Sequence, residues 1–394
     1  MIRRLSLLAA VLALLYAAFP IGYHAVAWQK ARAGEAPAVT DFITYYAVSL
    51  LLRDAPAADA YDVERLYPFE RRAIDGAWGG DLGEERLDTI KKFGWYYPPI
   101  LFLAVLPLAL LPYLAAHLAW VCISTWPYMA AVRRAAGIPA ASLLALGFPA
   151  VAMNWQFGQN GLLTAGLLGL GLAYLPTRPL LAGVFLGLLA YKPHFGLLLP
   201  LALAAGGHWR TFVSAAVTVL GLVAVTAALF GAEAWQHFFA ASAMARGAME
   251  SGHAAWTLMP SAFGAIKVAG GGNTLAYAVQ AISSLAAVLA VIWAWRRPGP
   301  FGPKAAVLCI AVLMLTPFLY SYDLAILAPA LAWLLADMTV SGQRRPGEML
   351  VVTAAVLLPF AVSSFARSGF QPGPWVLAAL LGYALVRVAR PARA

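Results

Sequence analysis

The chain has 394 residues, of which 62% are hydrophobic and 11% charged, with a mean hydropathy of +0.76. A soluble domain is about 45–50% apolar and about 25% charged, so a soluble enzyme, a disordered chain and a nucleic-acid binder are poor fits, and an all-α polytopic membrane protein is the expected class. The net charge of +10 has to be read by position, because basic residues of membrane proteins report topology first.

A helix needs roughly 20 apolar residues to cross about 30 Å of hydrocarbon. Residues 5–27 meet that length behind Arg3 and Arg4. No small-residue cleavage site interrupts them, so they read as a span rather than a leader. A long loop, residues 29–97, follows and holds 12 of the 17 acids and nine basic residues. Within it Thr40 is placed to cap a helix beginning at Asp41, and helical spacing puts Asp41, Thr44, Tyr45 and Val48 on one face. Asp41 has two readings from spacing alone, a first-turn acid favoured by the helix dipole or a carboxylate placed as a general base. Residues 63–74 read as an amphipathic helix on the membrane surface, with Leu66, Tyr67 and Ile74 on its apolar side. Trp95-Tyr96-Tyr97 closes the loop as an aromatic anchor. Ordered loops longer than about 12–15 residues usually carry a function.

Eleven further apolar stretches follow, at residues 98–132, 138–153, 161–175, 180–191, 195–205, 212–230, 273–295, 305–318, 324–336, 349–365 and 374–388. The expectation is therefore about twelve spanning or partly spanning helices in one domain, residues 1–394, with both termini on one side. At 1.5 Å per residue, residues 98–132 are too long for one upright span, and Pro107 and Pro112 can break them. Residues 180–191 and 195–205 are each too short to cross, so the Lys192-Pro193-His194 bend should lie at membrane depth, where a cavity open to the outside is expected. Residues 231–272 form a second loop on the same outer face, carrying His253 and Trp256.

Taking the N-terminus as cytoplasmic puts 14 basic residues on the inner face, among them Arg133, Arg134, Arg344, Arg345 and Arg393; beyond the first loop, only Lys192, Arg246, Lys267 and Arg367 fall outside. That asymmetry is the positive-inside pattern. Fifteen of the 17 acids then lie outside, leaving Asp337 and Glu348 inside.

Several short motifs resemble glycosyltransferase family 87. They are Asp-Phe-x-x-Tyr-Tyr from Asp41 to Tyr46, Tyr61-Asp62, Tyr96-Tyr97-Pro98-Pro99 and the Pro107 to Pro112 run. Gly-Gln-Asn-Gly from Gly158 to Gly161, Leu181-Ala182-Gly183, Tyr-Lys-Pro-His from Tyr191 to His194 and Tyr-Ser-Tyr-Asp-Leu from Tyr320 to Leu324 continue the order. The resemblance runs along most of the chain. It implies a GT-C-type, multi-spanning mannosyltransferase that takes its sugar from a polyprenyl-phosphate donor on the exterior or periplasmic face of the plasma (inner) membrane. It also implies that Asp41, just after the first span, is the general base of a single displacement with inversion.

A leaving phosphate needs positive charge or hydrogen-bond donors, and Lys192 and His194 are the candidates. An intramembrane lysine is functional by default, although it can also snorkel, and His194 fits a hydrogen-bonded structural role as well. Tyr45, Gln159, Asn160, Tyr322 and Asp323 are candidates for holding the sugar or acceptor. Asn-Gly is also an ordinary turn signal, and an acid at a helix start is also served by the dipole. His253 and Trp256 could cover the acceptor, with Trp256 stacking on a sugar, though interfacial tryptophans need no ligand. The implied partners are the lipid-linked donor, a glycolipid or glycan acceptor and membrane lipids, with no nucleic acid. No cofactor or metal is implied, since no Asp-x-Asp pair occurs in the first loop. The alternative is a transporter or flippase for a lipid-linked or small polar substrate; repeated halves with matching broken helices would favour it, and only one short-helix pair is present.

Overall fold

A computed structural model describes residues 2–35, 37, 39–78, 92–253, 255–342 and 346–390. The expected inner-face positions Arg344, Arg345 and Arg393, the side chains of Arg3 and Arg4, and residues 79–91 of the long loop lie outside that description. The described residues form helices and connections, with no strand among them. Five of the twelve expected segments are long and apolar enough to cross a bilayer on their own: Leu5–Arg32, Trp209–Phe230, Asn273–Arg296, Ser321–Ser341 and Glu348–Ala366. Shorter apolar helices fill the space between them, and the chain is a multi-pass membrane protein.

The first helix, α1 (Ile2–Arg32), shows Leu7, Leu14 and Ile21 to its surroundings. Exposed apolar side chains on one helix face suit contact with lipid tails. The next helix, α2 (Phe42–Asp54), begins one residue later than expected. Asp41 is its N-cap, and Ile43 donates its N–H to the Thr40 carbonyl at 3.0 Å. A short 3-10 turn, Ala57–Tyr61, leads into α3 (Val63–Trp78), longer than expected because the apolar spacing continues to Trp78. Its buried stripe is Leu66, Tyr67, Glu70, Ala73, Ile74 and Trp78.

Residues 98–132 are broken, as their prolines require. Short turns cover Pro99–Leu101, Phe102–Val105 and Leu106–Leu110, and a long helix, α4 (Tyr113–Ala136), starts only after Leu111 goes extended. The run 138–153 departs from the expected single helix. It forms α5 (Ala141–Leu146) and α6 (Ala150–Phe157), because Gly147-Phe148-Pro149 cannot continue a helix through the proline. Then follow α7 (Gly161–Tyr174), α8 (Pro179–Leu188), a bend around Lys192, α9 (Leu199–Ala205) and α10 (Trp209–Phe230). Residues 231–272, read as a loop, contain a full helix, α11 (Ala232–Ser251), and the short α12 (Ala262–Val268). The chain closes with α13 (Asn273–Arg296), α14 (Phe301–Leu315), α15 (Leu327–Ser341), α16 (Glu348–Ala366) and α17 (Gly373–Val388).

The core sits at α14, where every residue from Ala305 to Leu313 is buried. A helix apolar on all sides belongs at the centre of a bundle. Small residues bring other helices together. Gly183 and Gly187 of α8 face Ser214 and Thr218 of α10, and a Cβ on Gly183 would stand 2.4 Å from the Ser214 Cβ. Without a hydrophobic force between helices in lipid, such close backbone packing holds them.

The two acids left on the basic face have a structural explanation. Arg387 of α17 is fully buried and pairs with Asp337 of α15 and with Glu348 of α16, the latter at 3.2 Å. It also donates to Ser341 Oγ at 2.8 Å and to the Tyr383 hydroxyl at 3.2 Å. One guanidinium therefore ties together the ends of three helices through charge-assisted bonds.

Candidate active site

Asp41 does not spend its carboxylate on capping α2, for no side-chain cap bond is made there. Its Oδ2 instead accepts from Gln159 Nε2 at 2.6 Å, a contact between residues 118 positions apart. Gln159 reaches it because Gly158 ends α6 in a left-handed turn, φ +63°, against the Phe42 ring. A side chain at 158 would clash with Phe42 and strain the backbone, so glycine is needed there. The indole of Trp120 fixes the same turn by donating to the Gly158 carbonyl at 2.9 Å.

From Asp41 a continuous run of polar side chains leads to the Lys192 bend. The Tyr45 hydroxyl lies 3.3 Å from Gln159 Oε1 and 2.9 Å from the Tyr97 hydroxyl, so its one proton serves two acceptors. It accepts in turn from Asn160 Nδ2 at 2.9 Å. Asn160 Oδ1 accepts from Lys192 Nζ at 2.9 Å, and the ammonium pairs with Asp323 Oδ1 at 2.5 Å. Asp323 Oδ2 accepts from the Tyr320 backbone N–H at 3.3 Å, in a reciprocal cap of the turn Ser321–Ile326. Asp41, Tyr45, Gln159, Asn160, Lys192 and Asp323 are thus one network. Tyr322 joins it through its ring, with Lys192 Nζ 5.1 Å from the centroid and the Tyr320 ring stacked on it at 5.4 Å between centroids.

At the Lys192 bend the lysine side chain itself is enclosed. Lys192 is only 4% exposed, and Asn160 and Asp323 take two of its three N–H donors. The bend is not closed off beside it, since Pro193 is exposed and His194 half-buried. His194 sits next to this pair with its ring against Phe195 at 4.4 Å, and its Nε2 makes no hydrogen bond among the described residues. His253 and Trp256 do not enter the network. His253 is exposed and its Nδ1 pairs with Ser251 Oγ at 2.8 Å. Trp256 donates to the Met249 carbonyl, carries Lys267 over its ring at 4.4 Å, and packs in a small cluster that includes Tyr320.

Other members escaped the sequence reading. Thr164 and Tyr191 hydroxyls lie 2.6 Å apart, and both bond the Asn160 carbonyl. Asn154 donates to the Tyr322 carbonyl at 2.9 Å and accepts from Leu162 N–H. It pins the turn where Gly161 comes so close that a Cβ would stand 2.2 Å from the Tyr322 carbonyl oxygen. Asn154 and Thr164 sit in apolar runs, where an isolated buried amide or hydroxyl was the available signal.

An apolar groove of about 970 Å³ lies between α1 and α4, lined by Ile21, Ala25, Trp28, Leu118 and Trp155 among others. Its polar end is a histidine pair. His117 Nε2 is 3.1 Å from the Trp155 carbonyl and His24 Nε2 is 3.0 Å from His117 Nδ1. A carbonyl only accepts, so His117 carries its proton on Nε2 and takes a bond from His24 at Nδ1. The Phe42 ring, next in sequence to Asp41, stacks on His117 at 4.5 Å.

Comparison with known protein families gives a match. A model described as glycosyltransferase family 87 covers residues 95–321, more than half of the chain. No curated protein and no solved structure matches. The matched region holds Gln159, Asn160, Lys192, His194, His253 and Trp256; Asp41 lies before it and meets it through Gln159.

Proposed function

The chain belongs to glycosyltransferase family 87 and is a membrane glycosyltransferase, and from that premise we propose that it moves a single sugar, mannose, from a polyprenyl-phosphate carrier to an acceptor hydroxyl. The reaction runs on the exterior face of the plasma (inner) membrane, with both termini in the cytoplasm. The observation that carries this reading is the polar run from Asp41 to Lys192, which has a carboxylate at one end and a cation at the other. In a single displacement the acceptor oxygen attacks the anomeric carbon from one side while the bond to the phosphate oxygen breaks on the other. Asp41 takes the acceptor proton. The Lys192 ammonium, with its third donor, and His194 Nε2 receive the charge that develops on the phosphate. The β-linked donor then yields an α-linked product.

Tyr45, Gln159, Asn160 and Tyr322 stand between those ends and would bind the sugar hydroxyls; His253 and Trp256 would cover the acceptor from the second outer segment. Asp323 is fully buried against Lys192, which supports a role in holding the ammonium rather than touching sugar. The acceptor must lie at the Asp41 end, and Phe42, the next residue, stacks on His117 of the α1–α4 groove. Its apolar lining supports a glycolipid as acceptor, with the lipid chain in the groove and the head at Asp41.

The test is turnover of labelled polyprenyl-phosphate-mannose by purified protein with membrane glycolipids as acceptors. Transfer is expected, and absence of transfer with every lipid-linked sugar would favour transport instead. The variant Ala25→Trp, which narrows the groove, should raise KM for the glycolipid about tenfold, roughly 1.4 kcal/mol, and leave KM for the donor unchanged. A rise for the donor alone would move the acceptor out of the groove.

A further inference from the structure

The buried stripe of α3 contains one charged residue. Leu66, Glu70, Ala73, Ile74 and Trp78 recur at helical spacing on the packed face, and Glu70 is 1% exposed. A carboxylate where an apolar side chain would pack better breaks a local rule, and such breaks concentrate at functional positions. Its Oε2 accepts from the Phe93 backbone N–H at 3.2 Å. Phe93 begins the strap that runs through Trp95 to Tyr97, and the strap reaches the candidate active site twice. The Tyr97 hydroxyl bonds Tyr45, and the Trp95 ring meets the Tyr45 ring edge-on at 5.7 Å. The Tyr61 hydroxyl donates to the Tyr97 carbonyl at 2.8 Å, fixing the far end.

We propose that Glu70 is a positioning residue for the transfer reaction, holding the strap from Phe93 to Tyr97 so that Tyr97 and Trp95 keep Tyr45 in register with Gln159 and Asp41. The role rests on the transferase reading above.

Burial pushes the Glu70 carboxyl up to about 7, against the lowering effects of the Phe93 N–H and the Thr44 hydroxyl. The charged groups on the surrounding elements are engaged with one another: Arg72 pairs with Asp54 of α2, Arg65 with Asp59 of the preceding turn, and Lys92 of the strap with Glu64. Arg71, Asp75 and Tyr67 stand on the same helix, Arg53 of α2 bonds the Ala109 carbonyl, and His24 of α1 and His117 of α4 are bonded to each other. The ionised carboxylate is the stronger acceptor for the Phe93 N–H. Activity carried by Glu70 therefore rises with pH through about 7.

Stability moves the other way. A carboxyl raised above its unfolded value favours folding below that value and loses the contribution as pH rises through about 7. Position and stability thus respond oppositely to one proton. A merely structural glutamate would not separate them.

The experiment compares the full-length wild type with Glu70→Gln and Glu70→Ala in three readouts: kcat against pH, Tm at pH 5 and pH 8, and deuterium exchange of residues 92–98 at pH 8. Glu70→Gln should lower kcat about 3- to 30-fold at pH 8, less than the 10²-fold that a misplacement of about 1 Å can cost. It should also flatten the rise in kcat through about pH 7 and raise Tm at pH 8 but not at pH 5. Glu70→Ala should speed exchange across the strap. Wild-type kcat and pH profile in Glu70→Gln, in a protein that transfers sugar, overturns the inference. If the wild type transfers nothing, the transferase reading fails by itself, and unchanged strap exchange in both variants separately overturns the anchoring.

Discussion

Replacing Asp41 by Asn is expected to lower kcat by about 10²- to 10⁴-fold, the range for removing a general base, while Tm stays within the scatter of the wild type. Two features of the structure set that expectation. The carboxylate makes no cap bond to α2, so the substitution costs no helix. Gln159 Nε2 donates to Oδ2, and an Asn carbonyl at the same place can still accept. The geometry of the site survives and only the basicity is lost. If Asp41 served the helix alone, the result would be reversed: turnover unchanged, and stability lowered by the typical cost of a lost cap, about 1 kcal/mol. Initial rates with labelled donor, set beside thermal unfolding in the same detergent, decide between them. Equal turnover in the two proteins removes Asp41 as the base.

The parts of this site were legible as separate motifs, and their assembly was not. Gly158-Gln159-Asn160-Gly161 reads as a turn, and a turn it is. Nothing in its spacing shows that Gln159 would reach Asp41, because the two meet across 118 residues through the close approach of Gly158 to Phe42. Charge patterning singled out the two acids of the basic face but not their shared partner, the Arg387 guanidinium buried between them. The enclosure of the Lys192 side chain by Asn160 and Asp323 was not legible from helix length. Short helices require that irregular backbone be covered or wetted, and length alone does not say which. The broken run 138–153 had its signal in Gly147 and Pro149, which the count of apolar residues overrode. Glu70 had one too, the only charged position in an apolar stripe.

The pair Lys192–Asp323 gives the second large effect, and single substitutions would misread it. Lys192→Ala removes the cation and leaves the fully buried Asp323 carboxylate without its partner. Breaking a buried pair in that way costs about 3–5 kcal/mol, enough to lose the folded protein from detergent and to make any loss of activity ambiguous. Replacing both members with apolar residues of similar volume is often neutral, so Lys192→Met with Asp323→Leu should fold with a Tm near the wild type. The remaining partners then separate structure from chemistry. Asn160 keeps its bond to the Tyr45 hydroxyl, so the run from Asp41 to Asn160 stays assembled without the ammonium. What the double variant lacks is positive charge for the leaving phosphate, a deficit of about 10²- to 10³-fold in kcat by analogy with deleting one preorganised donor. A folded double variant with that loss assigns Lys192 to the phosphate. Turnover within about threefold of wild type, less than 1 kcal/mol on the barrier, would assign the pair to architecture and leave His194 as the remaining candidate for the phosphate.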